Sequence, residues 1–334
     1  MDYTSFKSIT KINLELTSKC ALSCSRCDRY EDKGLFPQQE LSLDFIKNKI
    51  PTQMLGPHFT FDLSGNYGDP IYHSEFIEII KYLKSFEVKI YIETNGSGKS
   101  NKWWKSLTKE LDSKDILSFS IDGLSDTNHI YRENSKWQEV YDAVSISAQH
   151  VSTHWKFIIF KHNQHQIEQA RSLATELGVK TFKTVNSSLF YFSYGEEHDE
   201  LMPDKKYLSN SLLARIERSN KKQQAPDSNK EVVQKVIYPK CVSSQRHYIS
   251  SEGHYFPCCW IALKSQLKKS FLSSRLDELS LHNHALEEIV QSQVIKDLFS
   301  SWEKVTPAPM ICQRKCQENI SSNTSHQFNY QKIN

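Results

Sequence analysis

Ile12-Asn13-Leu14-Glu15-Leu16-Thr17-Ser18-Lys19-Cys20-Ala21-Leu22-Ser23-Cys24-Ser25-Arg26-Cys27 carries two signals in succession. Ile12, Leu14 and Leu16 alternate with polar residues, which predicts a half-buried strand, since successive strand side chains point to opposite faces. Three cysteines in the spacing C-x3-C-x2-C follow at once, on the loop leaving that strand. Three thiolates on one loop can hold three irons of a 4Fe-4S cube. Such clusters ordinarily take four cysteines, so a loop with three leaves one iron open to a small molecule. The plainer alternatives are a zinc knuckle or three unrelated thiols, but this is an uncommon zinc spacing.

Working outward, strand and helix signals alternate. Phe59, Phe61 and Leu63 predict a second strand, Val88, Ile90 and Ile92 a third, Ile116–Ile121 a fourth, Trp155–Phe160 a fifth and 180–184 a weaker sixth. Between them Phe76, Ile79, Ile80 and Leu83 recur at helical spacing, Ser42 is placed to cap a helix holding Phe45, Ile46 and Ile50, and 167–177 runs up to Gly178. Repeated βα units imply a parallel sheet with right-handed crossovers. The expected fold is α/β: a partial (β/α)6 TIM-like barrel with its site on the loops at the C-terminal ends of the strands. We divide the chain into a barrel (1–185), a polar connection (186–236), a small cysteine-bearing domain (237–320) and a polar, frayed tail (321–334). Within the small domain 276–302 reads as helical, with Ile289, Val294, Ile295, Leu298 and Trp302 packing inward. The frayed character is expected to begin at about Gln317.

Composition agrees with a globular chain. Of 334 residues 38% are hydrophobic, and 17 Phe, 15 Tyr and 6 Trp suffice for a sizeable core. No apolar run approaches the roughly 18 residues of a membrane span. The first residues lack a secretory pattern, so the expected compartment is the cytoplasm. Net charge is +3, from 42 basic and 39 acidic side chains, which gives no footprint for nucleic acid. Eight cysteines in a reducing compartment point to metal rather than disulfides. There is no Walker loop, no G-x-G-x-x-G and no Ser-His-Asp order.

The cysteine loop resembles that of radical S-adenosylmethionine (SAM) enzymes. The resemblance covers 12–185 and implies that Cys20, Cys24 and Cys27 bind a 4Fe-4S cluster. SAM would chelate the open iron and be cleaved reductively to a 5′-deoxyadenosyl radical, which abstracts hydrogen from substrate. Further motifs fall at predicted strand ends. Ser64-Gly65-Asn66-Tyr67-Gly68-Asp69-Pro70 resembles the family's Gly-Gly-Glu-Pro segment that holds the SAM amino group, with Tyr67 where the first glycine is usual and Asp69 for the glutamate. Read alone, it is a plain βα turn. Thr94-Asn95-Gly96 and Ser120-Ile121-Asp122-Gly123 stand where the family places groups near the ribose, and the arginine of Tyr131-Arg132 suits a carboxylate. By this resemblance Gly68, Asp69, Asn95, Ser120 and Arg132 would hold SAM. Asp122 is a candidate catalytic residue, or else a cap. Arg26 stands where the family carries an aromatic residue, and Tyr30 is a substitute for stacking on adenine.

Cys241-x11-Gly253-x4-Cys258, then Cys259 and Cys312-x3-Cys316, resembles the SPASM or twitch extensions that follow such barrels. Five cysteines suit the shorter twitch-like form with one auxiliary cluster, expected to be 4Fe-4S. Its ligands would be Cys241, Cys258, Cys312 and Cys316, with Cys259 as the substitute for Cys258; a structural zinc site is the alternative. The resemblance implies an oxidoreductase-like enzyme acting on a small polar metabolite (a sugar, cyclitol or nucleoside-like compound), with a flavodoxin- or ferredoxin-type reductant. Net oxidation would pass an electron to the auxiliary cluster. Alternatives are peptide modification, epimerisation or rearrangement, and a non-catalytic Fe–S or zinc sensor or scaffold. His162 and His165 are expected on the fifth βα loop, with Asn163 capping the next helix. Trp103 and Trp104 are expected to pack a helix on the barrel.

Overall fold

The structure is a computed structural model that describes residues 6–32, 35–187, 200–210, 212–213, 235–244, 247–303 and 308–319. Six strands form where alternation places them: β1 (Lys11–Leu14), β2 (Thr60–Leu63), β3 (Lys89–Thr94), β4 (Ile116–Ser120), β5 (Ser152–Ile159) and β6 (Thr181–Asn186). All pair in parallel in the order β6-β5-β4-β3-β2-β1. This is the α/β parallel sheet of a partial TIM-like barrel.

The pleat divides polar from apolar. Ile12, Phe61, Ile90, Leu117, Trp155 and Phe157 are all buried in the main core. Helices cover this face. Ser42 Oγ accepts from Phe45 N at 3.1 Å to start Leu43–Lys49. Phe76, Ile79, Ile80 and Leu83 form the buried side of Phe76–Lys84. Trp104 is fully buried, and half-buried Trp103 stacks on Phe76. Helix Ile167–Glu176 is followed by Gly178 at φ +78°, the left-handed conformation that a side chain disfavours. The opposite face of the sheet is polar. It pairs Lys11 with Asp62 at 3.1 Å and Lys156 with Glu93.

Two further strands join this sheet. β8 (His247–Ile249) pairs parallel with β1, Ile12 opposite His247, and β9 (Tyr255–Phe256) returns antiparallel around Gly253 at φ +78°. The hairpin that lies between Cys241 and Cys258 therefore continues the barrel sheet past β1. β7 (Lys235–Ile237) pairs antiparallel with β10 (Gln317–Asn319).

Three local expectations need correction. Gln317 does not begin a frayed tail, because 317–319 are hydrogen-bonded in β10; 320–334 lie outside the described residues. The helical stretch from 276 is broken: a 3-10 segment Phe271–Leu279 precedes helices Leu286–Gln291 and Gln293–Glu303. Its five expected packing residues are nevertheless buried. Asn163 does not cap its helix with its side chain. Its amide instead donates to Asp122 O and Ile158 O, both at 2.9 Å, and its Oδ1 accepts from Phe160 N at 2.7 Å. Most of the 186–236 connection lies outside the described residues. Among those described, no helix is long and apolar enough to cross a membrane.

Candidate active site

The cysteine loop leaves β1 at the C-terminal end of the parallel sheet. Its entry is fixed by backbone pairing, Leu41 N to Leu16 O at 2.9 Å and Ser18 N to Gln39 O at 3.0 Å. Its apolar side is covered by a small separate cluster in which Leu22 and Cys24 meet Tyr131, Phe160, Leu208 and Leu212. Cys24 is buried, and Cys20 and Cys27 are half-buried.

Asp69 is the hub beside Cys20. Its Oδ2 accepts from Thr94 Oγ1 at 3.0 Å, Asn95 N at 2.7 Å and Asn95 Nδ2 at 2.5 Å, while Oδ1 accepts from Ile71 N at 3.3 Å and starts the 3-10 turn Pro70–Tyr72. Burial pushes its carboxyl up to about 6, against the pull of these donors. Asn95 Nδ2 also reaches Cys20 Sγ at 3.6 Å. Gly68 lets this loop lie flat on the cysteine loop: a Cβ there would sit 1.8 Å from Thr17 O. Thus Gly68, Asp69 and Asn95 are gathered at Cys20.

Arg132 approaches from the other side. Its Nε donates to Asp122 Oδ2 at 2.7 Å and one terminal nitrogen stands 3.9 Å from Cys24 Sγ. Asp122 is fully buried and its Oδ1 accepts from Ile158 N at 2.6 Å. Burial pushes its carboxyl up and the Arg132 guanidinium opposes this. Both oxygens are thus engaged in holding Arg132 and the end of β5. Ser120, at the strand end next to Thr94 and Asn95, donates to Glu93 Oε1 at 3.0 Å on the polar face of the sheet. Tyr30 is 59% exposed and so has a free ring face beyond Cys27. His162 stacks on Phe160, with ring centroids 5.5 Å apart.

As bare thiols the three cysteines hold their protons. Burial is the main cause, and pushes Cys20 up to about 12 and Cys27 to about 11; Asp69 adds to the effect at Cys20. Cys24 is raised by burial too, with Arg132 opposing. Buried thiols clustered near carboxylates become thiolates readily only against a bound metal cation, and three of them on one loop are a donor set that fits the cluster. Among the described residues no three His, Cys, Asp or Glu side chains converge tightly enough for a single metal ion. The fit therefore rests on the shared loop, burial and neighbours.

In the C-terminal part, Cys241, Cys258, Cys312 and Cys316 lie close enough to perturb one another. Contact with Cys258 and burial raise the Cys241 thiol, while contact with Cys241 holds Cys258 low. Burial pushes Cys312 up to about 12. Cys316 is raised as well, by burial and by the nearby Cys258. Cys259 adjoins Cys258, and its carbonyl accepts from Asn66 Nδ2 at 2.8 Å. None of the eight cysteines is in a disulfide.

Sequence reading missed the residues that brace this site. Glu15 and Asp32 are each 1% exposed. Glu15 reads as the polar half of the β1 alternation. Asp32 carries no signal of its own.

The radical SAM superfamily profile matches residues 14–174. No curated protein matches the chain. Among solved structures it is similar to histidine-tagged anSMEcpe with bound AdoMet, at a TM-score of 0.58 and 12% identity, covering 89% of this chain and 80% of that one. Native anSMEcpe with bound AdoMet and Cp18Cys peptide gives 0.57 and 12%, over 88% and 82%. SuiB of Streptococcus suis gives 0.57 and 13%, over 87% and 68%. At these identities the likeness is one of fold. With the profile match and the three-cysteine loop at the end of β1, residues 14–174 form a radical SAM superfamily domain.

Proposed function

We propose that the protein is a radical SAM enzyme that oxidises a small polar metabolite and carries one auxiliary iron–sulfur cluster in its C-terminal part. The observation that carries the first half is the contact of Asn95, itself fastened to Asp69, with Cys20 of the C-x3-C-x2-C loop. Cys20, Cys24 and Cys27 would hold the cluster. A reduced cluster held there would supply the electron for reductive cleavage of SAM.

The chain's own residues bind, orient and shield. Asp69 would accept from the SAM amino group while keeping its bond to Asn95. Arg132, oriented by Asp122, would face the SAM carboxylate. Asn95 and Ser120 would lie along the ribose side. Leu22, Tyr131, Phe160, Leu208 and Leu212 keep water from the cysteine loop. A polar substrate is supported by the polar sheet face, where Asn13, Asp62, Ser64 and Glu93 stand beside Lys11 and Lys156. Cys241, Cys258, Cys312 and Cys316 would hold the auxiliary cluster, supported by their mutual perturbation. A reductant of flavodoxin or ferredoxin type would feed the first cluster.

Anaerobic reconstitution tests this. The wild type is expected to bind about eight irons, the content of two four-iron clusters, and to release 5′-deoxyadenosine from SAM under reductant. Cys24→Ala should lose about half the iron and all SAM cleavage. Zinc without SAM cleavage would instead establish the non-catalytic reading. Deuterium transfer into 5′-deoxyadenosine from candidate polyols and nucleosides, set against candidate peptides, decides the substrate class.

A further inference from the structure

We propose that Tyr67 is a positioning residue that ties the Ser64–Asp69 segment to the Cys258–Ser265 segment, so that a ligand held by the first changes the second. The inference rests on the reading that Ser64–Asp69 holds SAM. It adds a physical link between that segment and the C-terminal cysteines.

Tyr67 is 5% exposed and every polar atom it has is engaged. Its N donates to Glu15 Oε1 at 2.7 Å and its carbonyl accepts from Arg29 at 3.3 Å. Its hydroxyl donates to Asp32 Oδ2 at 2.6 Å and accepts from Lys264 N at 2.7 Å. The ring stacks on Phe36 at 4.2 Å. Burial, with Asp32 beside it, pushes the phenol above its usual range, so it stays a donor.

The carboxylates on either side repeat the link. Asp32 accepts from Ser265 N at 3.2 and 3.3 Å, and Glu15 Oε2 accepts from Tyr248 OH at 2.7 Å and from Ser251 N and Oγ at 3.3 Å. Asn66 Nδ2 adds a bond to Cys259 O at 2.8 Å. One residue beyond Tyr67, Gly68 abuts Thr17, and Asp69 N donates to Lys19 O at 2.9 Å. Tyr67 therefore stands between the first cysteine loop and the strand end that carries Cys258 and Cys259. A glycine at position 67 could make none of the hydroxyl contacts. Loss of the hydroxyl leaves the Lys264 N–H without its acceptor and Asp32 Oδ2 with only the longer bond from Ser265 N, which is costly on both sides.

The test is hydrogen–deuterium exchange on the full chain, reconstituted anaerobically, with and without SAM. In the wild type SAM is expected to slow exchange both in Ser64–Asp69 and in 258–267. In Tyr67→Phe it should still slow the first segment but no longer the second. Without SAM, the amides of Lys264 and Ser265 should exchange about 10-fold faster than in the wild type. Simple loss of packing would not separate the two segments in this way.

Lys264→Pro gives an independent route. It deletes the N–H that Tyr67 accepts, at the first position of helix Lys264–Leu267, where proline is tolerated, after Leu263 at ψ 127°. Lys264→Ala removes only the ion pair to Glu252 and should keep the coupling that Lys264→Pro loses. Equal SAM protection of 258–267 in the wild type and both uncoupling variants overturns the proposal. If the wild type binds no SAM, the reading of the site fails instead. The tie is then judged by the SAM-free amide rates at Ser265: faster in Tyr67→Phe upholds it, unchanged rates overturn it.

Discussion

His247 shows how one residue sets a pH dependence. It is 1% exposed on β8, and a ring nitrogen meets Tyr255 OH at 2.6 Å. Burial pushes its pKa down to about 4, from an ordinary value of 6.5. The fold therefore holds it neutral, while the unfolded chain takes up a proton below pH 6.5. Between these values the unfolded state binds more protons, so stability rises with pH. The contribution is complete above about 6.5 and is lost as pH falls toward about 4, by roughly 3 kcal/mol for a shift of this size. His247→Asn stays neutral throughout and still offers Tyr255 an acceptor. Urea unfolding of that variant should show a clearly shallower loss of stability between about pH 6.5 and about pH 4.5. Some slope should persist, since burial lowers His73, His154 and His254 in the same direction. A slope identical to that of the wild type would mean that His247 titrates normally.

At the scale of elements, the loop after β2 is fixed by what it has no room for. A Cβ at Gly68 would lie 1.8 Å from Thr17 O and 2.6 Å from its carbonyl carbon, both backbone atoms of the cysteine loop. Gly68→Ala is expected to cost on the order of 3 kcal/mol, because backbone must move to admit the methyl. It should also abolish SAM binding. At Gly65 the nearest atoms belong to the Glu15 side chain, at 2.7 and 2.8 Å, so Gly65→Ala should cost less. Urea midpoints check the order, and a milder Gly68→Ala would contradict it. This scale also shows what the sequence could tell. Four of the six barrel strands were legible because they alternate, as with Phe59, Phe61 and Leu63, all fully buried; β4 is instead a short, nearly continuous buried run and β6 the weakest signal. The three-cysteine loop was legible because thiols have few other uses at that spacing. β8 holds too little sequence to place in the sheet: three residues have no period, and nothing local records that a parallel partner lies more than two hundred residues earlier. The same holds for Tyr67, Asp32 and Glu15, whose roles exist only once distant segments meet. Asn163 misled because its local cap competes with carbonyls that only the tertiary fold brings within reach.

Across the whole molecule the core does not divide where the sequence pattern changes. Barrel residues such as Ile12, Leu14 and Ile46 share one continuous core with Ile249, Phe256, Leu281, Ile289 and Leu298. Each such side chain contributes roughly 1.5–3 kcal/mol when buried. Five of them rival the roughly 5–15 kcal/mol net stability of a whole domain. The contact is also directional: β8 supplies the parallel partner of β1, and Glu15 N donates to Ile249 O at 2.9 Å. A chain ending before Lys235 would leave the edge of β1 unpaired and Glu15 buried without its donors Tyr248 and Ser251. An open edge beside exposed apolar surface is a site for aggregation. Such a truncation is therefore expected to be insoluble, or else to elute as aggregate and bind a hydrophobic dye, although it retains the whole radical SAM superfamily domain. A monodisperse fragment with a cooperative thermal transition near that of the full chain would show instead that the barrel folds without its C-terminal neighbour. In that case the link through Glu15 and Tyr67 would join two independently stable units rather than complete one.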